Sequence, residues 1–297
     1  MDYDAHVAEQ HGQFYLRGEG LPADALTIRY EATERISEPY VVRIEFESND
    51  PGFDVATLLR KQLTLEVLDG KGQRRLFDGV VDEASFLDVV ASRMRFVVQL
   101  RPALAALAHR SASRIFQKMT IIQVIQQLFE AAGFADKVTW LNTQEYTPRE
   151  FIVQYRESDL HFVTRLMEES GLFYWFGHGE DGHTLAIADN ASAFGAQDDT
   201  PDARFAMTPG IDVGALDLTD FHRRRALRTT HVHLKDYDFE KPEVAPDAEQ
   251  PGTDAIEARY FDYPGGFTVG AHGQQLAEAR MRQLRNDADT VRGSSSA

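Results

Sequence analysis

The stretch from Pro148 to Phe176, PREFIVQYRESDLHFVTRLMEESGLFYWF, constrains the fold more than any other, because it reads as strand, helix and strand with almost no slack. Phe151, Val153 and Tyr155 alternate with Ile152 and Gln154, a β-rich run that pleats one set of side chains to each face. Ser158 stands where a helix starts: its hydroxyl can accept a bond from a first-turn N–H, and Asp159 adds negative charge at the positive end of the helix dipole. Leu160, Val163, Leu166 and Met167 recur at helical spacing, with Thr164, Arg165, Glu168 and Glu169 towards the other side. Gly171 takes the place of a left-handed cap, and Leu172 to Phe176 is an aromatic run of high β-propensity. Turn residues Gly179, Asp181 and Gly182 precede Thr184 to Ala188, which predicts a hairpin.

Upstream, period-two alternation dominates residues 40 to 101. Val42, Ile44 and Phe46 oppose Arg43, Glu45 and Glu47; Leu63, Leu65 and Val67 point inward around Thr64 and Glu66; Met94, Phe96, Val98 and Leu100 oppose Arg95, Gln99 and Arg101. Asp69 to Gly72 reads as a turn. Short strands with Gly- and Asp-rich turns predict a small barrel or sandwich over residues 1–110. Thr120 and Gln123 form a capping box, Ile121, Ile125, Leu128 and Ala132 trace one helical face, and Gly133 marks the stop. Residues 111–190 therefore read as a mixed α/β module. Beyond it, Ala191 to Asp202 reads as a linker or surface loop, Ala226 to Leu234 and Ile256 to Tyr260 as strands, and proline-rich Lys241 to Gly252 as an exposed excursion. Gln274 to Val291 reads as a last helix, and Arg292 to Ala297 as linker. The fold class is mainly β with an α/β insertion.

The formal net charge of −16 argues against a nucleic-acid partner, since phosphate binding draws on clustered Lys and Arg. His222-Arg223-Arg224-Arg225 is the exception, open to reading as a polyanion site, a solvated strand end or a subunit contact. With no cysteine, neither a disulfide framework nor a thiolate metal site is possible, which suits assembly in a reducing cytosol. The N-terminus lacks the basic start and apolar run of a signal peptide, and no apolar run is long enough for a stable membrane insertion.

The catalytic candidates are few, and each has a plain structural reading beside it. Glu168 and Glu169 are adjacent on a helix, whereas a polysaccharide hydrolase needs two carboxylates facing each other across the sugar. His231 and His233 share a strand face, with Asp236 and Asp238 close behind; these suit zinc or nickel, and equally the polar side of a sheet. His178 and His183 flank a turn and need no role. Phe173 to Phe176 reads either as a stacking platform, with at most two rings on one side, or as a core strand. There is no phosphate-binding glycine loop and no Gly-x-Ser-x-Gly elbow. The residues give no catalytic, cofactor or metal assignment, so the chain reads as a structural or binding protein.

Arg149, Gln154, Tyr155, Glu157, Ser158, Asp159, Phe162, Arg165, Glu168, Gly171, Tyr174 and Phe176 form a dense pattern that resembles the VgrG family. Those are the spike proteins of type VI secretion systems, related to the hubs of contractile phage tails. Ile36 to Tyr40, Arg114 to Gln117, Asp236 to Phe239 and Tyr260 to Asp262 extend the resemblance over nearly the whole chain. The departures are Thr147 between Tyr146 and Pro148, Phe151 where Tyr is frequent, and Ser170 within an acidic triplet.

The resemblance implies a phage tail hub-like fold: two small antiparallel β-barrel domains, with the second drawn from residues 191–297, around the mixed module. It implies a homotrimer that docks a spike on the hexameric Hcp tube and meets baseplate, effector or adaptor proteins. Two similar domains per subunit let a trimer offer six contacts to a six-subunit ring. Cytoplasmic assembly, and export by the machine itself, follow from the same resemblance. A phage tail or tailocin hub is the alternative. Family members usually continue into an OB-like domain and a β-helical needle, so this chain is expected to carry the hub without the tip.

Overall fold

Alternating strands build the first half of the molecule, whose computed structural model describes residues 14–68, 74–194, 204–205, 217–252 and 256–296. Strands β1 (Phe14–Gly18), β2 (Leu26–Arg35), β3 (Glu38–Ser48), β4 (Gln62–Leu68), β5 (Arg74–Val90) and β6 (Arg93–Arg101) form one antiparallel sheet in the order β1-β4-β5-β6-β3-β2. Register shifts in the β2–β3 and β5–β6 pairs act as bulges, which raise local twist and curl the sheet into a half-barrel. Its concave side buries Val42, Ile44, Phe46, Leu63, Leu65, Phe96, Val98 and Leu100. A 3-10 turn at Val55–Leu58, capped by the Asp54 carboxylate, adds Val55 and Leu58 to that core. Glu66 departs from the outward position that alternation assigns it: it is buried, and pairs with both Arg17 and Arg74.

The mixed region follows. β7 (Ser111–Met119) pairs antiparallel with β9 (Arg149–Ser158), and β8 (Val138–Trp140) lies parallel to β11 (Gly182–Ala188). β10 (Phe173–Gly179) and β11 form the expected hairpin, with Gly179 opposite Gly182. Helix α1 (Ile121–Ala132) begins with the Thr120–Gln123 capping box and ends at Gly133, whose φ of 81° is left-handed. Helix α2 (Asp159–Glu169) is capped by Ser158, which accepts from the His161 N–H. Its C-terminus closes as a Schellman turn: the Leu172 and Gly171 N–H groups donate to the Met167 and Glu168 carbonyls, with Gly171 at φ 73°. Ile121, Ile125, Leu128 and Phe129 of α1 pack on Phe162, Val163, Leu166 and Met167 of α2 and on Tyr174, Leu185 and Ile187 of the hairpin.

The remaining strands are β12 (Arg204–Phe205), β13 (Asp217–Arg225), β14 (His231–Lys235), β15 (Asp247–Pro251), β16 (Arg259–Asp262) and β17 (Asp289–Ser296), with helix α3 (Gly270–Arg285) before β17. They make two three-stranded sheets, β12-β13-β17 and β15-β14-β16, each with one parallel pair. A third cluster, Val232, Leu234, Ala248, Phe267, Ala277 and Met281, packs α3 on the second of these sheets.

Several expectations for this last part change. The helix expected over Gln274 to Val291 starts four residues earlier and stops at Arg285, because Thr290 and Val291 belong to β17. The tail from Arg292, expected as linker, is strand up to Ser296; its backbone pairs with β13, which composition does not reveal. The proline-rich excursion contains β15, with Pro246 just before it and Pro251 at its last position, where a missing N–H costs little at a sheet edge. Of Ala226 to Leu234 only the part from His231 is strand, and the Ile256 to Tyr260 run shifts to Arg259–Asp262. The Asp69 to Gly72 turn, and residues 195–202 of the expected linker, lie outside the described residues; Ala191–Ala193 form a 3-10 turn.

Candidate interaction site

The junction of β9 and α2 is locked by one buried carboxylate. Asp159 is fully enclosed; its Oδ1 accepts from Gln154 Nε2 at 2.8 Å and Arg114 Nη1 at 2.9 Å, and its Oδ2 pairs with Arg110 Nε at 3.2 Å. Arg110 also accepts from the Asp159 N–H through its carbonyl, at 2.7 Å. Strand β9, its partner β7 and the start of α2 thus meet at a single charge. A second chain of charge runs along the surface: Glu157 to Arg165 at 2.6 Å, Arg165 to Glu169 at 2.9 Å, and Glu169 to Arg149 at 3.2 Å. The bond from Arg165, aided by His161, holds the Glu157 carboxyl below its usual range despite partial burial. Arg165 also lies over the Phe162 ring at 5.3 Å.

The outer face of the same strand pair is apolar and open. Ile152 and Gln154 of β9 point into the core beside Phe116 of β7, while Phe151, Val153 and Tyr155 are 57%, 47% and 65% exposed. Ile115, directly opposite Val153, is 65% exposed on that side. A two-stranded sheet with apolar side chains on both faces has a layer on only one of them. The sequence shows the alternation but not which of the two sets is covered.

Tyr174 and Phe176 are turned inward and join the module to the half-barrel. Phe176 packs in both large cores and meets Tyr40 edge-on at 5.0 Å. Tyr174 bonds through its backbone to Ser37, while burial, and then the Glu38 charge, push its hydroxyl above the ordinary tyrosine value. Glu168 bonds to Gln283 of α3, and Arg282 donates to the Asp189 carbonyl at 3.2 Å, so α3 sits against the signature stretch.

The histidines expected to be idle at the hairpin turn are instead buried bonding partners. His183 donates from Nδ1 to Asp78 Oδ1 at 2.7 Å and accepts at Nε2 from the Ala103 N–H at 2.9 Å, which fixes its tautomer. Asp78 accepts further bonds from the His183 N–H at 2.9 Å, Gln62 at 2.9 Å and Thr64 at 3.0 Å. Burial pushes its carboxyl up, but the bonds from His183, Gln62 and Thr64 outweigh this and hold it low. His178 accepts from the Asp78 N–H at 3.1 Å and reaches Glu34 at 2.9 Å; its bond is the largest influence holding the Glu34 carboxyl low. This looks like a catalytic His–Asp pair, yet both His183 nitrogens are spent on the protein itself. No local pattern betrays it, because the partners lie 105 residues apart.

The other candidates resolve similarly. Glu168 and Glu169 bond to Gln283 and to two arginines, with no facing carboxylate among their partners. The aromatic run splits: Tyr174 and Phe176 go inward, while Phe173 stacks on Phe194 at 5.4 Å and Trp175 meets the same ring tilted at 4.7 Å. Arg223 and Arg225 both pair with Asp289, at the end of β13. His231 and His233 do share a face, but Asp236 accepts from the Gly266 and Phe267 N–H groups and Asp238 from Glu240 and Lys241. The carboxylates beside the histidines are Asp247 and Glu249 of β15.

A curled antiparallel sheet stapled to an α/β module, with an apolar strand face left open, has a tail hub-like architecture. Residues 33–297 match the phage tail baseplate hub (GPD) family, and the chain belongs to it. It is similar to the type VI secretion spike proteins VgrG1b and VgrG4b of Pseudomonas aeruginosa, at 32% and 33% identity over 92% of this chain. The chain spans about a third of the length of these relatives, 37% and 34%. Its fold matches that of the E. coli c3393 protein, a type VI secretion component with structural similarity to the T4 tail proteins gp27 and gp5. There the TM-score is 0.69 at 17% identity, covering 95% of this chain and 63% of that one. The expected VgrG resemblance and the mainly β, tail hub-like fold therefore hold.

Proposed function

We propose that this chain is the hub of a type VI secretion spike, a homotrimeric adaptor that docks the spike on the hexameric Hcp tube. The open face of Phe151, Val153, Tyr155 and Ile115 carries the reading, because such a surface on a family of assembly proteins calls for a protein layer. In this reading residues 1–110, 111–190 and 191–297 are three units, each supplying most of one buried cluster, with Leu104 and Leu107 of the first reaching into the core of the second. The signature residues Arg149, Gln154, Glu157, Ser158, Asp159, Phe162, Arg165, Glu168, Gly171, Tyr174 and Phe176 hold the units in place, and Tyr155 faces a partner. The role is mechanical rather than catalytic, and the work comes from contraction of the machine. Effector, adaptor or baseplate proteins occupy other surfaces, and assembly takes place in the cytoplasm. Among the described residues no helix is long and apolar enough to cross a membrane.

The match to the tail baseplate family supports a second reading, the same hub in a phage tail or tailocin. Binding to immobilised Hcp hexamers separates the two. The first predicts saturable binding with one trimer per hexamer. Absence of binding, with the same chain binding a phage tail tube, would move the assignment to the second.

A further inference from the structure

We infer that the β14–β15 face binds a divalent first-row transition metal, with His231, His233 and Glu249 as ligands and Asp247 as the carboxylate that orients His233. The period of two along β14 puts both imidazoles on one face, and the antiparallel register sets Glu249 directly opposite His233. One oxygen of Glu249 lies 3.4 Å from His233 Nδ1, and the other lies 3.7 Å from His231 Nε2. Metal bonds of about 2.0–2.2 Å in tetrahedral geometry place neighbouring donors about 3.3–3.6 Å apart, a separation both Glu249 contacts approach. Donor atoms of His233, Asp247 and Glu249 lie within 4.8 Å of one another, and the His231 ring must turn in towards them to complete the set.

Two observations separate this from a plain ion-pair ladder. His233 Nε2 lies 2.9 Å from Asp247 Oδ1, and Asp247 is itself held by Lys235 at 3.1 Å. That puts the ring proton on Nε2 and turns the Nδ1 lone pair towards Glu249, the carboxylate–histidine arrangement found behind metal ligands. The second is His231 Nε2, which is buried and has no hydrogen-bond partner. A ladder of ion pairs leaves that nitrogen unsatisfied, whereas a metal between it, Glu249 and His233 supplies its partner. His231 and His233 are mostly shielded from solvent, and the Phe261 ring packs edge-on against His233 at 5.4 Å.

Two imidazoles and one carboxylate favour zinc, cobalt, nickel or copper over calcium or magnesium, whose ligands are all oxygen. Three protein ligands leave a position for water or for a donor from another molecule.

The test titrates the full chain, stripped with chelator, with cobalt(II) as a spectroscopic stand-in. The expected result is one tight cobalt per chain with an intense visible band of low coordination number, displaced by zinc, and a zinc-dependent rise in melting temperature. H231Q/H233Q should lose the band and the thermal shift while keeping the metal-free circular dichroism spectrum and melting point. D247N should keep the stoichiometry and weaken binding roughly 10–100-fold. A wild-type chain without the band, or an H231Q/H233Q chain that binds cobalt as well as wild type, would overturn the assignment.

Discussion

Removing the Asp78 side chain should unfasten the hairpin from the half-barrel. In D78A four donors lose their acceptor: the His183 N–H, His183 Nδ1, Gln62 Nε2 and Thr64 Oγ1. Bonds to a charged group contribute ~1.5–3 kcal/mol each, but those of one network do not add. Gln62 is exposed and Thr64 half-buried, so both regain water, whereas the two His183 donors stay buried. The expected loss is therefore about 3–5 kcal/mol, set mainly by His183. D78N keeps one oxygen, and the Gln62 amide can turn to meet the new NH₂, so about 1–2 kcal/mol is expected there. Urea unfolding followed by fluorescence of Trp140 and Trp175, the two tryptophans, reads both values.

The pH dependence supplies an internal check. Asp78 and Glu34 have folded pKa values held low, so their contribution is complete above the ordinary carboxylate range near pH 4 and is lost as pH falls through the folded values. The gap between wild type and D78A should narrow in acid for that reason. A loss below about 1 kcal/mol in D78A, or a gap that widens on acidification, would refute this account of the junction.

Two further perturbations follow from the signature stretch. D159A leaves Arg110 and Arg114 facing an empty site, and since both guanidinium groups are about one-third exposed, unfolding measurements should show a loss of about 2–4 kcal/mol, with D159N in between. G171A places a Cβ at φ 73° and 3.1 Å from Ala279 Cβ, so it should cost about 1–2 kcal/mol by thermal melting and loosen α3 from α2.

Local chemistry explains which parts of this fold are legible in the sequence. The caps at Thr120 and Ser158, the stops at Gly133 and Gly171, and the inward set Val42, Ile44 and Phe46 depend on neighbours a few residues away, and each stands as read. His183 and Asp78 depend on a partner in another element, so a buried network passed for a polar turn. The same reason hides β17 and β15: Ser294 to Ser296 and a proline-flanked acidic run become strands only because β13 and β14 lie alongside. Adjacency along the chain points His231 and His233 to Asp236 and Asp238, whereas register across the sheet brings Asp247 and Glu249 alongside them.

The central claim concerns assembly, and solution mass tests it directly. Light scattering over a concentration series should give three times the 33.5 kDa protomer for the wild-type chain, and F151D/Y155D should shift the mass towards one protomer without lowering its melting point. A wild-type chain of 33.5 kDa at every concentration, or a double variant that remains trimeric, would contradict the role assigned to the open face of β9.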